Sequence, residues 1–357
     1  MRNVQYQFSP GWWVGFGVFA LALAVAPIFW GTFHLTLLVV QGMLALSLGL
    51  MWGQAGILCF GQSAFYGLGA YTYAVTAMNL QSYEWGSVYA VLVALTVTGL
   101  FAAALGAMMF FGRISDVYLG VITLVVTLLF FKFLNAAAGS AYEIGNARLG
   151  GFNGIPGFSP LTVPMGETYF VTGDALYYLC AVLLLLVWLA CKWISHTHWG
   201  RTLAGVRENE LRVQLLGYDP RALKTGIFAL SGLIAGLSGV LFACWAEIVT
   251  PGLFSLGQAA ETIIWVIAGG LGTWIGPVIG AFALGSLKSA LATQTLIDNT
   301  LVMGGVLVVV VLLLPSGAIP TLERWLQKAT SGRIKSFKSS NEKSFQHVRP
   351  GRVEHHE

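Results

Sequence analysis

The chain has 357 residues, 56% of them hydrophobic and only 10% charged, with a mean hydropathy of +0.75. A soluble domain carries about 25% charged residues, so this composition excludes an ordinary soluble fold and points to a polytopic membrane protein. The net charge of +4 comes from basic residues spread between apolar runs rather than gathered in one patch, which argues against nucleic acid as a partner.

Several runs reach the ~20 apolar residues that span a bilayer. Backbone groups in lipid must be satisfied internally, so the spans are helices or a closed barrel. The runs are too long for the ~10-residue alternating strands of a barrel. The expected fold is therefore an all-α polytopic membrane protein with about ten crossings, at residues 12–33, 34–52, 57–79, 88–112, 117–135, 175–194, 223–246, 256–270, 274–292 and 296–314. The first run is too long for a signal-peptide core and lacks a small-residue cleavage pattern. Of the 19 Lys and Arg, all but Lys132, Arg148 and Lys288 fall on one side of this scheme. The positive-inside rule makes that side cytoplasmic, with both termini on it.

Taken in chain order, three stretches stand out. The first is ILCFGQSAFYGLGAY at residues 57–71, where Gln62, Ser63, Gly67 and Gly69 interrupt an apolar run. Small residues let helices approach closely, and a break is tolerated only against protein or a cavity. Close packing and a pathway-lining broken helix are both consistent with it. The outer segment 136–174 is rich in Gly, Pro and Thr and either packs as a loop or caps a pathway. The second stretch, GRTLAGVRENELRVQLLGYDP at 200–220, lies in the basic internal segment 195–222. Residues 202–216 read as one short amphipathic helix, which Gly217 stops. Such a helix lies on the lipid surface or docks a cytoplasmic partner. The third stretch, AETIIWVIAGGLGTWIGPVIGA at 260–281, is again punctuated by glycine, at Gly269-Gly270, Gly272 and Gly276. These Gly-rich runs read as broken or re-entrant.

Residues 1–320 are expected to form the membrane domain and 321–357 a basic cytoplasmic tail, disordered from Ser331 onward. Cys59, Cys180, Cys191 and Cys244 lack metal-type spacing and read as small buried hydrophobes. The sequence contains no phosphate-binding G-x-x-x-x-G-K-[ST], no H-E-x-x-H and no G-x-S-x-G. Neither a metal nor another cofactor is implied. Asp116, Lys132, Glu247, Glu261, Lys288 and Asp298 fall near predicted span ends, where snorkelling charges are common.

Four blocks in order carry a resemblance: LSLGLMWGQAGILCFGQSAFYGLGAY, RISDVYLGVITL, GRTLAGVRENELRVQLLGYDP and IIWVIAGGLGTWIGPVIGA. Together they resemble the LivM-type permeases of branched-chain amino acid ABC importers, a family that also includes urea and short-amide permeases. The likeness runs over about residues 41–320. The second block departs from the family's usual pattern, losing one basic residue and gaining Asp116. The resemblance implies a non-enzymatic membrane subunit in the bacterial inner membrane. Its partners would be a second, related permease (a heterodimer), two cytoplasmic ABC ATPases and an extracytoplasmic substrate-binding protein. It also implies a coupling role for the loop with Gly200, Arg201, Arg207, Glu208, Glu210 and Gly217. The solute pathway is expected at Gln62, Ser63, Phe65, Gly67, Gly69, Glu261, Gly269 and Gly270. Branched-chain amino acids are the expected solute and urea or a short amide the alternative. A self-sufficient transporter or channel is disfavoured by the shortage of mid-membrane ionisable groups.

Overall fold

A computed structural model describes residues 10–139, 141–165 and 167–292, with the single positions 304, 305, 317 and 321. The tenth expected crossing, at 296–314, and the tail lie almost wholly outside the described residues. The helices are α1 (Pro10–Val25), α2 (Thr32–Ala55), α3 (Gln62–Asn79), α4 (Gly86–Phe111), α5 (Asp116–Ala136), α6 (Gly173–His196), α7 (His198–Glu208), α8 (Glu210–Leu215), α9 (Pro220–Ala246), α10 (Leu256–Gly269) and α11 (Gly276–Ala292). Five of them, α2, α4, α5, α6 and α9, are long and apolar enough to cross a membrane. Most helix positions follow the apolar runs, but the first run, expected to cross over 12–33, is α-helical only to Val25, and α1, α10 and α11 are shorter apolar helices.

Burial ranks these helices. The apolar windows of α2 and α9 are 78% and 72% buried, against 28% for α4 and α5. So α2 and α9 form the centre, and α3 packs against α9 and α4. Polar glue joins the central pair, since Ser231 and Ser238 on α9 donate to the carbonyls of Ser47 and Val40 on α2 at 2.7 and 2.8 Å. The α3–α9 crossing is very close. A Cβ at Gly69 would meet the Gly236 backbone, so only glycine fits there.

The two ends of the bundle differ. One carries α7 and α8. The other carries three two-stranded antiparallel ladders: β1 (Glu143–Ile144) with β2 (Ala147–Arg148), β3 (Ile155–Pro156) with β6 (Ile248–Val249), and β4 (Thr162–Met165) with β5 (Glu167–Phe170). Segment 136–174 is therefore ordered into hairpins and tied to the chain after α9.

Two expectations are corrected. The third run is helical only from Gln62, because Gly56 ends α2 at φ +74° and residues 57–61 are not helical. The Gly56 N–H closes α2 on the Trp52 carbonyl at 3.1 Å. The amphipathic loop forms two helices rather than one. Asn209 is extended at φ −160°, and its Oδ1 accepts from the Arg212 N–H at 3.0 Å, starting α8 afresh.

Candidate functional site

The first candidate region is the start of α3. Gln62 and Ser63 are 1% and 0% exposed. The Gln62 Nε2 donates to Ser47 Oγ at 2.6 Å, Ser231 Oγ at 2.9 Å and the Ser231 carbonyl at 3.3 Å. Ser47 lies eight residues before the end of α2, about 12 Å along the axis. The non-helical stretch after Gly56 thus climbs back into the bundle before α3 begins, and Gln62 joins three helices at that depth. Its Oε1 and the Ser63 Oγ have no hydrogen-bond partner among the described residues. Both residues sit in a closed inter-helix contact.

Their neighbours pack tightly. Phe65 meets Phe228 edge-to-face with ring centroids 5.4 Å apart. Gly67 lies under the Phe254 ring, where a Cβ would come within 2.5 Å. Phe254 belongs to the short turn Pro251–Phe254 that leads into α10. Gly269 and Gly270 form the α10–α11 turn, far along the chain from Gln62. Gly270 has φ +117°, and the turn packs near the last turn of α2, with Gly272 N 3.6 Å from a Cβ built at Gly53. Glu261 stands apart from these glycines, on α10, and Lys288 Nζ on α11 reaches its Oε1 at 2.5 Å. The sequence shows both residues but not their pairing, because 27 positions separate them.

The second region is the α7–α8 loop. Thr197 Oγ1 caps α7 by accepting from the Gly200 N–H at 3.2 Å, and a Cβ at Gly200 would press on Ser195. Arg207 Nη1 donates to the Gly53 carbonyl, and its stem lies 3.1 Å from a Cβ built at Gly56. Glu210 is held by Lys224 of α9 at 2.6 Å. Arg207 and Glu210 therefore anchor the loop to this chain's own helices, although Arg207 is itself exposed, as Arg201 and Glu208 are. Gly217, at φ +88°, turns the chain toward α9, whose cap Asp219 Oδ1 accepts from the Arg221 N–H.

The apolar residues of the loop divide sharply. Leu203, Val206 and Val213 are buried, but Leu211, Leu215 and Leu216 are 65%, 81% and 75% exposed. Those three leucines are the residues that sequence reading missed as a group. Even on a single continuous helix Leu215 would lie about 180° from Val206, and with the break at Asn209 all three leucines are exposed. Leu211 and Leu215 stand one turn apart on α8 and Leu216 follows them, and exposed apolar side chains grouped in this way are a feature of interaction surfaces. Among the described residues no group of three or more His, Cys, Asp or Glu side chains is placed to hold a metal ion.

The described residues form a helical bundle with five helices long and apolar enough to cross a membrane. Residues 32–313 match the family described as "Branched-chain amino acid transport system / permease component", and the chain belongs to it. It is 28% identical over 332 residues to the high-affinity branched-chain amino acid transport system permease protein LivM of Escherichia coli K12, covering 85% of this chain and 75% of that one. It is also 27% identical over 232 residues to the ribose import permease protein RbsC of the same strain, covering 62% and 66%. The autoinducer 2 import system permease protein LsrC of Photorhabdus luminescens is 29% identical over 116 residues, 30% of this chain and 35% of that one. No solved structure matches.

Proposed function

We propose that this chain, paired with a second related permease, forms the solute pathway of an inner-membrane ABC importer for branched-chain amino acids. Two cytoplasmic ATPases drive it and an extracytoplasmic binding protein delivers solute. The observation that carries the reading is the exposed leucine patch of α8 on a loop clasped to the transmembrane helices, in a chain whose family match spans most of its length. The long match to LivM favours branched-chain amino acids over urea or a short amide. In this reading there are ten crossings, the α7–α8 end is cytoplasmic and the hairpin end faces the binding protein. Gln62, Ser63, Phe65, Gly67 and Gly69 form the closed wall of the pathway. Gly269 and Gly270 are its pivot, and Gln62 is a latch that solute passage must release. Arg201 and Glu208 flank the ATPase seat.

Leu215→Glu tests the seat. At so exposed a site the change alters permease stability by about 0.5 kcal/mol or less. Copurification of the ATPases is expected to fall about tenfold or more, as for loss of an apolar anchor. Undiminished copurification would assign the leucines to the lipid surface instead.

A further inference from the structure

Glu261 and Lys288 form an ion pair within the helical bundle, and it is not a closed one. Glu261 is 18% exposed at its side chain and Lys288 37%. The Glu261 Oε1 accepts from Lys288 Nζ, while Oε2 is buried and has no donor among the described residues. A second orphan acceptor stands nearby. Gln41 of α2 has a buried Oε1 without a donor among the described residues, and that oxygen lies 2.8 Å from a Cβ built at Gly285 of α11. Gly285 is three residues before Lys288, on the same face of the helix. The adjoining Gly42 packs on Val278 and Phe282 of the same helix. The ion pair thus joins α10 to α11, and the Gln41 Oε1 of α2 faces α11 one turn before Lys288.

This junction lies at membrane depth. Gln41 is nine residues into α2, about 14 Å along a helix of about 36 Å. Ionisable groups so placed line polar paths or pair with one another, and here the pairing leaves acceptors over. A bare cation would be repelled by Lys288 and a bare anion by Glu261. A molecule carrying an ammonium and a carboxylate a few ångströms apart complements both.

We propose that Gln41, Glu261 and Lys288 form a binding site for a small zwitterion, with Glu261 Oε2 and Gln41 Oε1 holding its ammonium group and Lys288 Nζ its carboxylate. The site rests on the importer reading above and gives it a solute station at the α2–α10–α11 junction.

The test uses the complete transporter in proteoliposomes, with leucine as the probe. Uptake and ATP hydrolysis stimulated by the loaded binding protein are both measured. Gln41→Met removes the acceptor oxygen at similar volume, and Glu261→Gln removes the charge. Each is expected to lower leucine uptake about tenfold, the scale of one hydrogen bond to a charged group, with stimulated hydrolysis retained. The double variant Glu261→Gln/Lys288→Met separates solute binding from helix packing. A packing pair predicts recovered uptake once both charges are gone, whereas a zwitterion site predicts that uptake stays low. Wild-type uptake in Gln41→Met or in the double variant overturns the site. If Glu261→Gln fails to assemble, Gln41→Met, which changes no charge, still decides. Failure of the importer reading looks different, because the wild-type complex itself would then show no leucine-dependent hydrolysis.

Discussion

Gln62 shows how one polar side chain at membrane depth can organise a bundle. Its amide nitrogen serves Ser47 and Ser231 together, and the Ser231 hydroxyl passes the chain of bonds on to the Ser47 carbonyl. Gln62→Leu removes the donor and leaves hydroxyls in an apolar contact, so permease stability is expected to fall by about 1–3 kcal/mol. A thermal melt of the detergent-purified protein measures it. An unchanged melting temperature would show that the contact is not maintained in solution. Gln62 and Ser63 were legible as unusual, because an amide in lipid needs a partner. Their setting was not, since Ser231 is 169 positions away and only the tertiary packing of α9 supplies it. The same limit applied to Arg207, expected in the coupling loop, whose bond to the Gly53 carbonyl spans 154 positions.

At the scale of elements, the last turn of α2 is the junction of three parts. Arg207 of α7 binds its Gly53 carbonyl, the α10–α11 turn packs beside it, and the non-helical run toward α3 leaves from Gly56. A displacement of α7 therefore acts on the start of α3 and on the α10–α11 turn together. Arg207→Ala is expected to leave ATPase copurification intact while lowering leucine uptake per ATP hydrolysed several-fold. Loss of copurification instead would place Arg207 in the docking surface itself. Helix positions were readable from run length because an apolar stretch of ~20 residues has few other solutions in a membrane. The breaks at Gly56 and Asn209 were not, because each depends on contacts with distant helices. Segment 136–174 hid its strands for a similar reason. Its ladders are only two to four residues long, and β3 pairs with a partner beyond α9.

Across the whole molecule, α3 and α10 echo each other. Gly61-Gln62-Ser63-Ala64 opens α3, and Gly257-Gln258-Ala259-Ala260 lies in the first turn of α10. Each follows a long central helix and a non-helical or turn segment. α3 runs toward the hairpin end, where Asn79 binds the Ile144 carbonyl at 2.9 Å, whereas α10 runs away from it. Two similar units in opposite senses around α2 and α9 suit a rocking exchange of access between the two faces. Sidedness is testable because Cys59, Cys180, Cys191 and Cys244 are all buried and give a quiet background. In intact cells, a cysteine at Asn153 is expected to react with an impermeant thiol reagent and one at Glu208 to resist it. The reverse pattern would invert the topology.

The composition of α3 also bears on how the protein is made. At 18 residues it is long enough to be considered a span, yet it is too polar to rank with the five apolar crossings. Its Gln62 amide is bonded to Ser47 of α2 and Ser231 of α9, its Gly69 packs on Gly236 of α9, and α9 is synthesised about 140 residues after α3 has left the ribosome. During synthesis, then, α3 has little reason to partition into lipid by itself. It must wait beside α2 or in the insertion machinery until α9 arrives. The polar seam that lets the finished bundle close also makes its biogenesis depend on the order in which helices emerge.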